Sequence, residues 1–400
     1  MWHGGYGLMP SSECPQFTKL SRVRKADDMK IDTFGVEMWM NEWETKCALN
    51  LAETCVESLT INELLEITGR NEADLSTLLP IKMNYGEIKG SHRLRNAIAA
   101  LYDKQRDQNI LVTHGTIGAN MLVHRTLVER GDRVISIVPT YQQHYSIPKS
   151  IGAEIALLHL REDMEWLPGL DALTKMAASG VKLIALTNPN NPTGALIPCE
   201  MLKEIAKIAR DAGAWVLCDE VYRGTDQQGH GMTTSMADIY EKGISTAGMS
   251  KAYSLAGLRL GWIAATDELI EEAMVHRDYD TISVGMIDDH FATLALENCD
   301  RLLERSRSIT RGNLTYLTTW IAGEPKLSWI KPESGTTALV KLGLEMTSYD
   351  FCIELLQETG VMFTPGSALG IEGYVRIGYA NNPKILTDGL ERVSDFLLRH

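Results

Sequence analysis

Between residues 248 and 262 the chain carries one amine, Lys251, and eight residues later one guanidinium, Arg259, in an otherwise apolar, small-residue stretch. A lysine so placed is a candidate for imine chemistry with a carbonyl carbon. An ordinary lysine is protonated at neutral pH and is no nucleophile, so a covalent role asks for burial or a cationic neighbour that lowers its pKa. Alone, Lys251 reads better as a surface lysine ahead of a helix, the commoner use of the residue. Its companions reverse that.

Upstream, residues 214–218 form a short apolar run that ends in the acid pair Asp219 and Glu220, with Tyr222 just beyond. Residues 181–186 are another such run, followed by Asn188, Pro189, Asn190, Asn191, Pro192, Thr193 and Gly194, a rigid turn that exposes side-chain amides. Parallel strands of α/β proteins present ligand groups at their carboxyl ends, where both sets fall. Near the C-terminus Arg376 sits among alternating apolar residues, where an unpaired charge is costly and an anion is the natural partner.

Together, residues 188–194, 219–222, 250–261 and 375–378 resemble, in order and spacing, the class I/II aminotransferases, fold type I enzymes that use pyridoxal 5′-phosphate (PLP). The resemblance runs from about Asn50 to the C-terminus. It implies that Lys251 holds PLP as an imine and later moves a proton between the substrate Cα and the cofactor. Asp219 is implied to pair with the ring nitrogen, and Asn191 and Tyr222 to hydrogen-bond the phenolic oxygen. Asn191 also lies on the substrate side. Arg376 would take the substrate α-carboxylate with two parallel hydrogen bonds, a geometry lysine cannot supply.

The phosphate needs a cradle, and residues 110–120 supply a strand, a glycine turn and a helix start, where free N–H groups favour an anion. By resemblance the backbone of Thr116 and Ile117 serves there, with Ser250 beside the lysine and Arg259 as a fixed charge. Tyr141 matches the aromatic that stacks on the ring, and His144 falls where a residue supports the aspartate. Tyr85 matches a tyrosine that crosses a dimer interface to the phosphate, implying a homodimer with shared active sites.

The chain departs from the family pattern in several places. Gly248 stands where a phosphate-binding serine or threonine is common, leaving Ser250 or Thr246 as substitutes. Glu53 or Thr54 occupies the place of a glycine that lets backbone approach the substrate. Asp278 falls nearest the substrate-binding arginine of dicarboxylate-specific members, and an aspartate there repels a second carboxylate. Glu37, Glu42, Glu44 and Glu53 gather around the aromatic stretch 34–43. If one or two of them face the pocket, the substrate side chain is cationic, a guanidinium or ammonium; a solvated acidic helix face is the reading that periodicity favours.

The elements that must hold these residues alternate. Short apolar strands at 133–138, 154–160, 183–186 and 215–218 interleave with helical stretches such as 91–103 and 200–212, which argues for a mainly parallel sheet covered on both faces. After about residue 303 the pattern changes to a longer helix, strands near 327–329 and 337–342, and a final helix from 386. The expected architecture is α/β: a mainly parallel seven-stranded sheet in an α/β/α large domain over 83–302, and a smaller α/β domain from 26–82 plus 303–400. Residues 1–25 read as a flexible segment or lid.

At 400 residues and 44% apolar content the chain is long enough for two domains with substantial cores. A net charge of −13 and a pI near 5.3 argue against nucleic acid or an anionic membrane as partner. Seven cysteines without a C-x-x-C pair suggest neither a disulfide framework nor a metal site, and the absence of a signal pattern or a long apolar run suggests a cytoplasmic protein. The expected activity is transfer of an amino group from an α-amino acid to a 2-oxo acid. The rivals are a PLP-dependent oxidase, in which oxygen takes part, a cyclase or an eliminating enzyme acting on arginine or a related amino acid, and a non-catalytic binding protein.

Overall fold

The computed structural model describes residues 30–400; the flexible segment or lid expected over 1–25 lies outside the described residues. Seven strands form the main sheet: β1 (Ile110–His114), β2 (Arg133–Val138), β3 (Glu154–His159), β4 (Leu183–Thr187), β5 (Trp215–Asp219), β6 (Gly243–Gly248) and β7 (Leu260–Ala264). Their order across the sheet is β1-β7-β6-β5-β4-β2-β3. Every pairing from β3 through β2, β4 and β5 to β6 is parallel, while β7 runs antiparallel between β6 and β1. All five residues of β4 are buried, as are those of β7, the unbroken apolar runs that a sheet covered on both faces requires.

The helices cover those faces by stripe. In the helix Cys199–Asp211, Leu202, Ile205, Ala206 and Ala209 are buried at helical spacing, so one side packs on the sheet and the charged remainder meets water. A second sheet, entirely antiparallel, joins β8 (Leu327–Trp329), β9 (Thr337–Leu342), β10 (Thr364–Pro365) and β11 (Tyr374–Gly378) in the order β10-β11-β9-β8. Its core gathers Phe351, Phe396 and Leu390 from the C-terminal helices with Trp39 and Leu51 from the N-terminal side. Leu64, by contrast, packs with Leu94, Tyr253 and Trp262 against the main sheet, with Leu59 and Ile67 beside it.

Two glycines set the approaches that shape the pocket. A Cβ on Gly261 would lie 2.4 Å from the Gly115 carbonyl carbon and the Thr116 nitrogen, so only glycine lets β7 pass beneath the turn that opens the next helix. A Cβ on Gly378 would fall 1.7 Å from the Glu53 carbonyl oxygen, and the Gly378 N–H donates to Leu51 O at 2.7 Å. Residues 51–53 are thereby laid across the end of β11. Helix α1 (Gly35–Trp43) lies close by, tied down where the Trp39 indole N–H donates to Phe363 O at 2.9 Å and the Gly35 N–H to Gln142 Oε1 at 2.9 Å.

Candidate active site

A cavity of about 320 Å³ opens at the carboxyl ends of β4, β5 and β6, with the small sheet and α1 as its far walls. This is where parallel sheets put ligands. Asp219, the last residue of β5, is buried in its floor. Asp219 Oδ2 accepts from Asn120 Nδ2 at 2.8 Å, and Oδ1 from the Val221 N–H at 3.1 Å. Asn120 is held in turn by the Thr246 hydroxyl, which donates to its Oδ1 at 2.6 Å. His144 Nε2 lies 3.7 Å from Asp219 Oδ2, and the His144 ring meets His124 edge to face at 5.7 Å. Burial, then His144, pushes the His124 imidazole well below the usual histidine pKa, so His124 is neutral.

Lys251 follows β6 and points its amine into the cavity. Its Nζ donates to Thr54 Oγ1 at 2.6 Å and to Cys55 Sγ at 3.4 Å. The sequence reading asks for a lowered pKa here, and the structure corrects it. Desolvation works downward, but Cys55, Tyr222 and Glu53 outweigh it and push the amine above the ordinary lysine value. Burial in turn pushes the Cys55 thiol up to about 11. Although burial works against it, Glu53 sits below the usual glutamate pKa, beside Lys251 and accepting the Thr54 and Cys55 N–H groups. Without a cofactor, Lys251 is thus a held ammonium.

Arg376, in the middle of β11, is 3% exposed and has no carboxylate partner among the described residues. Its Nη1 donates to Asn191 Oδ1 at 3.2 Å, and its Nη2 to Ala52 O and Thr364 Oγ1, both at 3.1 Å. The buried Nε has no hydrogen-bond partner among the described residues. An unpaired buried guanidinium is a standing demand for an anion. Above it, the Tyr141 hydroxyl donates to Glu37 Oε1 at 2.6 Å, and the Phe34 ring lies 4.6 Å from that of Tyr141.

At the opposite end the turn after β1 opens the helix α2 (Gly115–Leu127), with Gly115 at φ +67°. Positive φ is at home in glycine, and the free N–H groups of this first turn make an anion site. Thr116 Oγ1 is buried and has no partner among the described residues. A Cβ on Gly115 would sit 2.9 Å from the Arg259 guanidinium, and Ser250 and Ile117 complete this end. The departure at Gly248 has a steric reason: a Cβ there would lie 2.5 Å from Thr116 Oγ1 and 2.9 Å from Leu260 O. Of the substitutes expected for the missing hydroxyl, Thr246 is committed to Asn120, whereas Ser250 faces the cavity.

The structure therefore gathers Lys251, Asp219, Asn191, Tyr222, Tyr141, Thr116, Ile117, Ser250, Arg259, Arg376 and Glu53 around one space. Three expected residues fall outside the cavity of their own chain. Asp278 is exposed at the end of the helix Asp267–Arg277, and its neighbour Arg277 turns inward and donates to Ile88 O at 2.5 Å. Tyr85 is 77% exposed. Glu42 pairs on the surface with Lys46 at 2.5 Å, while Glu37 and Glu44 of the same acidic stretch line the cavity, against the reading of a purely solvated face. Sequence reasoning missed Cys55 and Asn120; Asn120, one helical turn after Thr116, was reachable by spacing, and Cys55 carried no signal.

A family model described as aminotransferase class I and II matches residues 74–393. The chain belongs to that family. Capreomycidine synthase of Streptomyces vinaceus is 27% identical over 370 residues, covering 91% of this chain and 94% of that protein. An aspartate aminotransferase of Pyrococcus horikoshii is 27% identical over 78% of this chain and 83% of its own. Among solved structures, a PLP-dependent aminotransferase from Streptococcus suis is 42% identical with a TM-score of 0.90, covering 93% of this chain and 99% of its own. The PLP-dependent cyclase OrfR is 25% identical with a TM-score of 0.86, covering 96% and 100%.

The protein is a PLP-dependent aminotransferase-family enzyme of fold type I, and its pocket fits that cofactor on its own terms. The helix start with the partnerless Thr116 hydroxyl and the Arg259 charge suits a phosphate. The buried Asp219 carboxylate suits a protonated ring nitrogen, and the Lys251 amine lies in the same cavity.

Proposed function

We propose that the enzyme transfers an amino group from an α-amino acid to a 2-oxo acid in two half-reactions, with the roles distributed as follows. Lys251 would hold the cofactor covalently, Asp219 its ring nitrogen, Asn191 and Tyr222 its phenolic oxygen, and Tyr141 its ring face. Thr116, Ile117, Ser250 and Arg259 would hold the phosphate. When bound, PLP supplies the carbonyl carbon and the ring that accepts electrons from the substrate Cα. The protein supplies the proton traffic. Lys251, freed from the cofactor, takes the Cα proton as a base and returns it as an acid. Thr54 Oγ1, 2.6 Å from Nζ, holds the freed amine within reach. Arg376 fixes the α-carboxylate through its open Nε, which orients the Cα–H bond toward the lysine.

The observation that carries this reading is the meeting of a lysine amine, a buried carboxylate and an unpaired buried arginine in one cavity. Mixing the yellow protein with amino acids under air and under nitrogen tests it. Stoichiometric pyridoxamine phosphate without peroxide is the expected result; consumption of amino acid only with oxygen would overturn it.

A cyclase, oxidase or eliminating enzyme acting on an arginine-like amino acid is the second reading. It is supported by the carboxylates of the pocket wall and by likeness to proteins named capreomycidine synthase and PLP-dependent cyclase. A donor with a cationic side chain suits either outcome. The reading extends to a cytoplasmic homodimer serving amino-acid biosynthesis. No helix of the described residues is long and apolar enough to cross a membrane. Leu79, Met83, Tyr85 and Tyr279, each at least 74% exposed, supply apolar surface for a partner copy to which Tyr85 would lend its hydroxyl. The two-domain division, 83–302 against 26–82 plus 303–400, belongs to the same reading.

A further inference from the structure

We infer that Glu37 reads the side chain of the amino donor, exchanging the Tyr141 hydroxyl for a guanidinium or ammonium group; the inference rests on the amino transfer proposed above. The cavity is lined by three cations, Lys251, Arg259 and Arg376, and four carboxylates, Asp219, Glu37, Glu44 and Glu53. The cofactor's carbonyl carbon, phosphate and ring nitrogen take Lys251, Arg259 and Asp219, and the donor's α-carboxylate takes Arg376. Three carboxylates remain, with no cation among the described lining residues left to face them.

Those three are not equivalent. Glu53 already accepts two backbone N–H groups and sits beside Lys251. Glu44 is exposed at the rim. Glu37 is half-buried, and its side chain accepts one hydrogen bond, from the neutral Tyr141 hydroxyl. Among the described residues it has no salt-bridge partner within 4.0 Å, the span that defines such a pair. A charge-assisted bond to a guanidinium or ammonium is roughly twice as strong as one from a neutral hydroxyl, so a cationic donor displaces Tyr141. Val36 and Met40 share the pocket-facing side of α1 with Glu37 and offer an apolar path for the methylene stem.

A second observation fixes the donor's direction. Arg376 is more than nine-tenths buried and its Nε is partnerless, so the α-carboxylate has one place to go and the side chain must leave toward the remaining walls. Helix α1, pinned through Trp39 and Gly35, presents Glu37 as part of a rigid element, which is what discrimination by charge requires.

Arginine and citrulline, alike in length and differing in the charge of the terminal group, provide the test. Calorimetry on the holoenzyme should give arginine at least about tenfold tighter binding than citrulline. Glu37→Gln should bring that ratio close to one while leaving citrulline and the cofactor absorbance unchanged, and Glu44→Gln should keep the preference. Equal binding of the two ligands by the wild type, or a preference that survives in Glu37→Gln, would overturn the inference. Absence of pyridoxamine phosphate with every amino acid, the binding ratio being intact, would count against amino transfer and leave the role of Glu37 standing.

Discussion

The floor of the pocket and its N-terminal wall are built differently. Of the floor residues, Asp219 ends a strand of the main sheet, Asn191 and Lys251 follow one within a few residues, and the Asp219 carboxylate is braced by Asn120 and the backbone. The wall is a stretch of irregular chain, residues 51–56, with α1 beside it, held by a few long-range bonds. The floor keeps the family pattern and the wall departs from it. On the proposed reading, reaction type would reside in the sheet and selectivity in the wall.

Replacing the floor lysine, or the small-sheet arginine that faces it across the cavity, should therefore disable chemistry with every donor. Lys251→Ala should lower turnover by about 10³-fold or more, the scale of a lost acid/base group, and remove the borohydride-trappable chromophore while leaving the melting temperature of the cofactor-free protein nearly unchanged. Arg376→Lys should cost on the order of 10²-fold in kcat/KM with every amino acid alike, since a point charge replaces the planar fork; steady-state kinetics on a neutral and a cationic donor check this. An effect confined to one donor would blur the division between floor and wall.

Smaller effects sharpen the division. Gly248→Ser, which restores the hydroxyl common in the family, should destabilise by about 1–3 kcal/mol, because its Cβ falls 2.5 Å from Thr116 Oγ1; denaturant midpoints measure it. Since the Lys251 pKa is raised, its unprotonated fraction grows about tenfold per pH unit below that pKa, so the rate of cofactor loading into the cofactor-free protein should climb steadily from pH 7 to 10. Glu53→Gln removes an anion beside the amine, lowers that pKa, and should speed loading at pH 7 by about threefold to tenfold. A flat profile would mean that the wall does not govern the amine.

The same contrast explains what was legible in the sequence. Floor residues announce themselves because each lies at the end of an apolar run: Asp219 closes residues 214–218 and Asn191 follows 181–186. The strands at 133–138, 327–329 and 337–342 fall where the apolar pattern places them, and the helix expected from 200 to 212 spans Cys199–Asp211. Wall contacts have no such local mark. Thr54 reaches Lys251 across 197 positions and Glu37 reaches Tyr141 across 104, so nothing near either residue encodes the pairing. Glu37 and Glu42 look alike in sequence, yet a five-residue offset in a helix turns them to different sides, one into the cavity and one to Lys46. The pKa of Lys251 was misjudged for the same reason, since Glu53, Thr54 and Cys55 come from a distant part of the chain.

Arg376 touches the irregular stretch through Ala52, the small sheet through Thr364 and the turn after β4 through Asn191, leaving one nitrogen open. It works as a rivet among three parts of the molecule. Any small carboxylate seated on that nitrogen, whether or not it can react, should clamp all three at once. Simple carboxylic acids without an amino group are thus expected to shield the protein from proteolysis more than their size suggests.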